Sequence, residues 1–558
     1  MNANQVKLAA TREVTFGVTP TSGTEGATPV LQELRFTSED LSRRTSWTRS
    51  QELRADRQVA DMIRTDASVA GSISHEQSFG GTTFSVVSGN IYCTASGSKI
   101  TGESGAFTGV TAGQWVRFNR AGSANNGYWF VTAVSVGDDE LTVVGEGTAT
   151  LANEDPGSPA EVAVDSWADN EWAAALQSEG WEVGWTEAVT GLFQTVGGSD
   201  AIGRTTVSDS ATSVFSVNGS AQYERTTGNW NTSWKVGMRV LVAGFANPEN
   251  NGLKTITAIP SNTTLEVSDT LTTETSPAGA VSFTSNWTAL GYTAGQIIKV
   301  SGFAATSANT FHVIEQVTAS NLVVYTNLGT ESVPAGQVTI EVLPQISNGI
   351  HQSSFSIERS HSDSTSIFDV FSGVSVDRKS LRIATASVNG GSVSVLGKVD
   401  DGNTVTVGTG TNDSAPAFAV MNAIDNVEEV RENHTTFGTI LREFSIDIGN
   451  NLFPRTAITV LGATSIGSGS IEASGSLTVY FESASMLNKH RNWTTTSFMF
   501  VLVDADSNYY IINLPSVKLT EARKVTPGLN QDVTATFTWT AFRDASLLET
   551  IRVARLQA

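Results

Sequence analysis

Hydrophobic and polar residues alternate with period two along most of the chain. The runs "GSISHE" (71–76), "SFSIE" (354–358), "SVSVLG" (392–397), "FSIDIGN" (444–450), "GSLTVYFE" (475–482) and "VTATFTW" (533–539) all show it. Alternation of this kind sets one face of a strand on a core and the other in water. Helical spacing is confined to two stretches. Ser166–Ser178 brings Trp167, Ala168, Trp172, Ala175 and Leu176 near one face, and Glu482–Asn492 is the second. The pattern predicts an all-β chain of antiparallel sandwich or barrel type with short flanking helices.

Three stretches share one finer pattern. Ala112–Gly145, Val236–Asp269 and Ala294–Asn327 each read as a strand opened by glycine (Gly113, Gly237, Gly295), a Gly/Asn turn, a second strand, a polar turn and a third strand. The turn "NNG" occurs at 125–127 and 250–252, where Asn and Gly readily adopt positive φ. These are read as three small inserted β-modules, over 82–163, 197–285 and 286–345. With them set aside, the remainder folds onto itself in two halves. "LRFTSEDL", "ASVAGSISHE" and the helix near Trp172 parallel "LREFSIDIGNNL", "IEASGSLTVYFE" and the helix near Met486; Ser353–Lys398 then parallels Ser497–Ala541. The expectation is one strand-rich domain present twice. The first copy is assembled from 1–81, 164–196 and 346–400, and the second is 401–558. Loops accept such insertions because closure entropy grows slowly with length.

Composition narrows the class. With 558 residues, 39% apolar, 25 Phe and 12 Trp, the chain has material for several cores. Its 55 acidic against 34 basic residues give −21, which speaks against wrapping nucleic acid, where clustered cations must neutralise phosphates. Cys93 is the one cysteine, so no internal disulfide forms. The first residues lack the apolar segment of a signal peptide, and no apolar run approaches the roughly 18 residues a membrane-spanning helix needs. Synthesis and folding in a cytoplasm, with no membrane partner, are expected.

Candidate chemistry is sparse. His75, His312, His351, His361, His434 and His490 are scattered without the spacing of a metal site. "DADSN" (504–508) resembles the start of a calcium loop, but Tyr509 stands where that loop needs glycine, and a polar hairpin turn accounts for it better. No nucleophile elbow or phosphate-cradling loop is present. No catalytic residue, metal or cofactor is expected. Trp115, Tyr128, Trp129 and Trp234 are aromatic positions that could stack on sugar rings if exposed.

One segment stands apart. Glu52–Asp66 is densely charged in a chain only 16% charged overall. The stretch "LRFTSEDLSRRTSWTRSQELRADRQVADMIRTDASVAGSISHEQSF" (34–79) resembles the N-terminal region of tail tube proteins of long-tailed, non-contractile phages; its specific part is Leu53–Asp61. The likeness continues at "SGVSVDRKSLRIATASVNGGSVSVLGK", "GSLTVYFESASMLNKHRN" and "YIINLPSVKLTEARKVTPGLNQDVTATFTWTAFRD". It implies a tail-tube-type β-sandwich whose strands join between subunits, with the three modules as decoration outside the tube. It implies a structural, self-assembling virion subunit and no enzyme. The charged segment takes the place of a loop that docks on the adjacent ring, and Arg54, Asp56, Arg57, Gln58, Asp61 and Arg64 become its candidate docking residues. Two domain copies per chain imply trimeric rings of pseudo-sixfold symmetry, with hexameric rings as the alternative. The implied partners are further copies, the tail tip or baseplate and the terminator, while tape measure protein and DNA pass through the lumen without specific binding. An acidic bore would keep DNA from sticking. The competing reading is a surface-displayed adhesion protein whose modules recognise a host glycan or protein.

Overall fold

The alternating runs become part of one hydrogen-bonded system of eighteen strands. The computed structural model describes every residue except 1–4, 55, 57, 81–84, 89, 121, 157–159, 197–199, 210–213, 219–220, 277–279, 333, 335, 362, 364–366, 404 and 527. Twelve strands of the system carry its logic. They are β1 (Val6–Arg12), β2 (Ser42–Arg49), β3 (Met62–Glu76), β4 (Phe355–His361), β5 (Phe368–Ala384), β6 (Gly390–Gly397), β7 (Val427–Glu432), β8 (Leu441–Gly449), β9 (Glu472–Tyr480), β10 (Thr496–Val503), β11 (Tyr509–Val525) and β12 (Thr534–Ala541).

These strands form two units of identical order. The first runs β1-β4-β5-β6-β3-β2 and the second β7-β10-β11-β12-β9-β8, antiparallel throughout. The equivalence extends to irregularities. β5 and β11 are both 17 residues long, and the ladder to the next strand slips once in each, between Val376 and Arg378 and between Leu519 and Glu521. Asp377 and Thr520 therefore hold the same bulge position, where one extra residue bends the strand. Gly71 lies opposite Val395, and Gly475 opposite Trp539, at matching places beside those bulges. Both glycines let a neighbouring backbone in close: an added Cβ would sit 2.7 Å from the Asp40 carbonyl oxygen or 2.0 Å from that of Ser445.

Each long strand passes through two layers. The first half of β5 pairs with β4 and with Val399–Asn403, and the first half of β11 with β10 and with Arg552–Leu556. The second halves enter an inner sheet of order β2-β3-β6-β5-β8-β9-β12-β11, in which β5–β8 is the seam between units. Alternate residues of the inner strands, among them Val69, Ile73, Val393, Val395, Ile446, Ile448, Leu477, Phe537 and Trp539, point into the cores beneath.

Helix α1 (Trp167–Leu176) begins at Ser166, whose hydroxyl accepts from the Asp169 N–H. It is buried beyond the apolar face the sequence suggests, because its polar residues have partners. Asp169 pairs with Arg555, Asn170 accepts from Arg12 and Glu171 takes the Lys379 ammonium at 2.8 Å. Burial pushes the Glu171 carboxyl up, but Lys379 and His75 more than offset it and hold the group below its ordinary range. Helix α2 (Ser485–Arg491) occupies the matching position before β10.

The modules share one sheet order. Numbered within each module, the strands run 1-7-4-5-6-3-2 in Ser85–Val164, in Trp185–Val342 and, with an extra edge strand, in Val207–Ser285. The glycine-opened repeat seen in sequence supplies strands 4 to 6. Gly113, Gly237 and Gly295 have φ of 94°, 89° and 88°, and each N–H donates to the equivalent carbonyl, of Val131, Ile256 and Ile314. The side-chain amide oxygens of Asn126, Asn251 and Asn309 accept from the backbone at Arg120, Phe245 and Phe303 and close the following turn.

The sequence boundaries of the modules are corrected by this pairing. Trp185–Thr190, Phe193–Val196 and Ala201–Arg204 are the first three strands of the third module's sheet, so 185–196 do not belong to the tube domain. That module is not confined to 286–345 either; the second is nested in it, between its third and fourth strands. Its opening strands lack the repeat pattern, which is why reading the repeat alone misplaces them. A buried ion pair within the third module, Arg204–Glu187 at 3.0 Å, reaches into the second: Arg204 also donates to Ser285, and Glu187 accepts from the Arg239 N–H.

Candidate assembly edges and arms

An inner sheet has two edges, and each is a ladder of unpaired backbone groups. One edge here is β2, all eight of whose residues are exposed. The other is the end of β11, Glu521–Val525, which pairs with β12 on one side and among the described residues has no strand on the other. Between the two edges lies the internal seam of the two units. β5 receives β8 in register from Arg378↔Gly449 to Ala384↔Glu443, with Arg382 and Glu443 paired at 2.6 Å across it.

Two hairpins project from this sheet. The first joins β2 to β3, and the outer part of β3, Met62–Thr65, is exposed while Ala67 and Val69 are buried. Its turn holds the charged segment. Arg54 pairs with Asp56 at 2.9 Å and keeps that carboxylate below its ordinary range, and the Gln58 N–H donates to it as well. Asp61 accepts from the Met62 N–H and, through its carbonyl, from Ser50. Arg64 sits on β3 opposite Trp47. Arg57 lies outside the described residues. The charges share the hairpin with exposed Trp47, Leu53, Val59, Met62 and Ile63. The second hairpin is its equivalent, between β8 and β9. It carries the short strands Phe453–Thr456 and Ala463–Gly467 and exposes Phe453, Ile458, Val460 and Leu461.

The open face of the inner sheet is lined with hydroxyls. Ser380–Ser392, Ser445–Ser476 and Thr478–Thr536 meet across strands at 2.8, 3.0 and 3.1 Å. Its charges alternate. Arg44, Arg378, Arg382, Lys518 and Arg523 stand among Asp40, Glu76, Glu443, Asp447, Glu472 and Glu521. The net −21 is not gathered on this face.

The family model described as phage tail tube protein matches residues 3–541. The chain belongs to the phage tail tube protein family. That places it in the virion tail as a structural subunit associating with copies of itself and other tail proteins. No curated protein matches the chain.

In this tail tube protein the other polar candidates have structural places. Asp504 accepts from the N–H groups of Asp506 and Asn508 and from the Asn508 side chain, making "DADSN" the turn of the β10–β11 hairpin. His312 is buried with Nε2 2.9 Å from the Ala308 carbonyl, and burial pushes its pKa down to about 4. His434 stacks on Tyr325 at 4.4 Å, His351 meets Glu146 at 3.0 Å and His490 meets the Leu519 carbonyl at 2.9 Å. Among the described residues no cluster of three or more His, Cys, Asp or Glu could hold a metal ion, and no helix is long and apolar enough to cross a membrane. Trp115, Tyr128, Trp129 and Trp234 are 1–4% exposed, so none is free to stack on a sugar.

Sequence reading located the first arm by its charge and missed its apolar content. It also missed the second arm altogether. The signal was present: "NLFPRTAITVLGATSIG" (451–467) interrupts β8–β9 where Glu52–Asp66 interrupts β2–β3, but it has one charge, at Arg455.

Proposed function

We propose that the chain polymerises into stacked rings that form the phage tail tube, a conduit for DNA ejection, with the modules as external decoration. The observation that supports this most is the pair of complementary open edges, β2 and the end of β11, on a sheet whose internal seam already joins two equivalent units. Two units per chain favour three chains per ring with pseudo-sixfold symmetry, over six. The two hairpins are the arms that dock on the adjacent ring, with Arg54, Asp56, Gln58, Asp61 and Arg64 and the apolar residues beside them making contact.

The hydroxyl-lined face is assigned to the bore. On this assignment the bore carries charges of both signs rather than a uniformly acidic lining. Hydroxyls and balanced charge offer DNA and tape measure protein only weak, exchangeable contacts, without the clustered cations that would hold phosphate. The modules, inserted immediately before and after α1, which packs on the core side of the sheet, leave little room for a contractile sheath.

Negative-stain electron microscopy of the purified protein, concentrated to favour assembly, tests the reading. Hollow tubes whose class averages repeat with three chains per ring are expected. Dispersed particles at every concentration and salt, persisting when a tail-tip extract is added, would overturn it.

A further inference from the structure

We infer that the joint between neighbouring chains copies the β5–β8 seam in register, pairing Glu521 of one chain with Arg44 of a second copy. This rests on the tube reading above and names the contact within it. The equivalence of the two units fixes the register.

The bulges fix one side. Asp377 and Thr520 are the extra residues of β5 and β11, so Arg378, which follows the first, corresponds to Glu521, which follows the second. The close-packed glycines fix the other. Gly71 and Gly475 correspond, so Ser68 corresponds to Glu472; β2 sets Arg44 opposite Ser68, and β8 sets Gly449 opposite Glu472. Arg44 therefore corresponds to Gly449. In the seam Arg378 lies opposite Gly449. Carried over, Glu521 lies opposite Arg44 of the second copy, Ala522 opposite Arg43 and Arg523 opposite Ser42, diagonal to Asp40.

Three features of the side chains agree with this register. Glu521 and Arg44 both belong to the open face, as Arg378 does, so they meet on the same side of the sheet. They carry opposite charge, and Arg523 has Asp40 on one diagonal and Arg44, itself opposite Glu521, on the other, whereas directly opposed like charges would be destabilising. Both strands are free to pair: β2 is exposed along its length, and β11 is exposed at Glu521, Arg523 and Lys524. A slip of one residue would turn Arg44 to the core side and lose both pairs.

Cysteine pairing tests the register, since the native Cys93 is buried and burial pushes its thiol up to about 12, which keeps it unreactive. The variant carrying Arg44→Cys and Glu521→Cys, oxidised after assembly, is expected to give a ladder of covalently joined chains on a non-reducing gel. The variant carrying Arg43→Cys and Glu521→Cys, whose thiols face opposite sides, is expected to give none. A charge test accompanies it. Glu521→Arg alone should raise the concentration needed for assembly by about tenfold, and adding Arg44→Glu should restore it. Wild-type tubes together with no 44/521 ladder, a ladder from 43/521, or no rescue by the double reversal would overturn the register and leave the tube reading standing. Absence of wild-type tubes would overturn both.

Discussion

The tube sheet and the modules are built from the same kind of strand, yet they treat their surfaces differently. Among the described residues of the modules, the exposed large apolar side chains are Val87, Tyr92, Val136 and Val236. In the tube domain some such residues are spread over loops, but two groups share a hairpin: Trp47, Leu53, Val59, Met62 and Ile63 on one, and Phe453, Ile458, Val460 and Leu461 on the other. Scattered apolar residues need no partner, whereas clusters on projecting elements mark contact surfaces. On the proposed reading, the modules bury their apolar surface within one chain, whereas the tube sheet and its hairpins leave edges and apolar groups for further copies.

The largest expected effect breaks that contrast directly. Changing Trp47 and Ile63 together to Ser should abolish tube formation in sedimentation and microscopy while leaving the circular dichroism spectrum of the monomer unchanged. Changing Val136 and Val236 to Ser should alter neither. Arg54→Glu with Arg57→Glu is expected to act as the first pair does, through the charged turn of the same arm. Assembly unimpaired in both arm variants would remove the arms from the docking surface.

Next comes the stability of the modules by themselves. Glu187→Ala leaves Arg204 charged and unpaired in a site where both side chains are fully buried, which should cost about 3–5 kcal/mol. Calorimetry should show one melting transition, that of the nested modules, moving down while the tube transition holds. A joint shift of both would mean that the two regions unfold as one.

Gly475→Ala sharpens the comparison within the tube domain. Its Cβ would collide with the Ser445 carbonyl, so a loss of about 2 kcal/mol or more is expected, and Gly71→Ala should lose less because its clearance is larger. Urea unfolding measures both.

The smallest effect is a pH slope. His312 is neutral in the folded module because burial lowers its pKa to about 4, while in the unfolded chain it titrates near its ordinary value of about 6.5. Between these values the unfolded state binds the extra proton, so stability falls as pH falls, by about 1.4 kcal/mol per unit at most from this group. Below about pH 4 no further loss arises from it. His312→Gln should flatten the dependence of the module melting temperature on pH between 7 and 4.5, and an unchanged slope would assign it elsewhere.

Much of this was legible beforehand. The period-two runs mark β3, β6, β8, β9 and β12, and the Gly-opened repeat marks the central strands of all three modules, because one strand buries one face whatever lies beyond it. The duplication shows in "AGSIS" and "SGSLT" around Gly71 and Gly475, since the same close approach of a neighbouring backbone demands glycine in both. The nested insertion did not show. Trp185–Arg204 alternates as any strand does, and nothing local says whether its partner is 20 or 150 residues away.

The sequence by itself therefore determined the strand class, the repeat, the two matching halves and the charged arm, all of which depend on side-chain periodicity and local turn chemistry. Tertiary structure decided which strand lies beside which: the nesting of one module in another, the β5–β8 seam, and the two edges left open. Backbone hydrogen bonding is the same for every residue, so strand order carries no local signature. It is selected only when whole faces must be buried together.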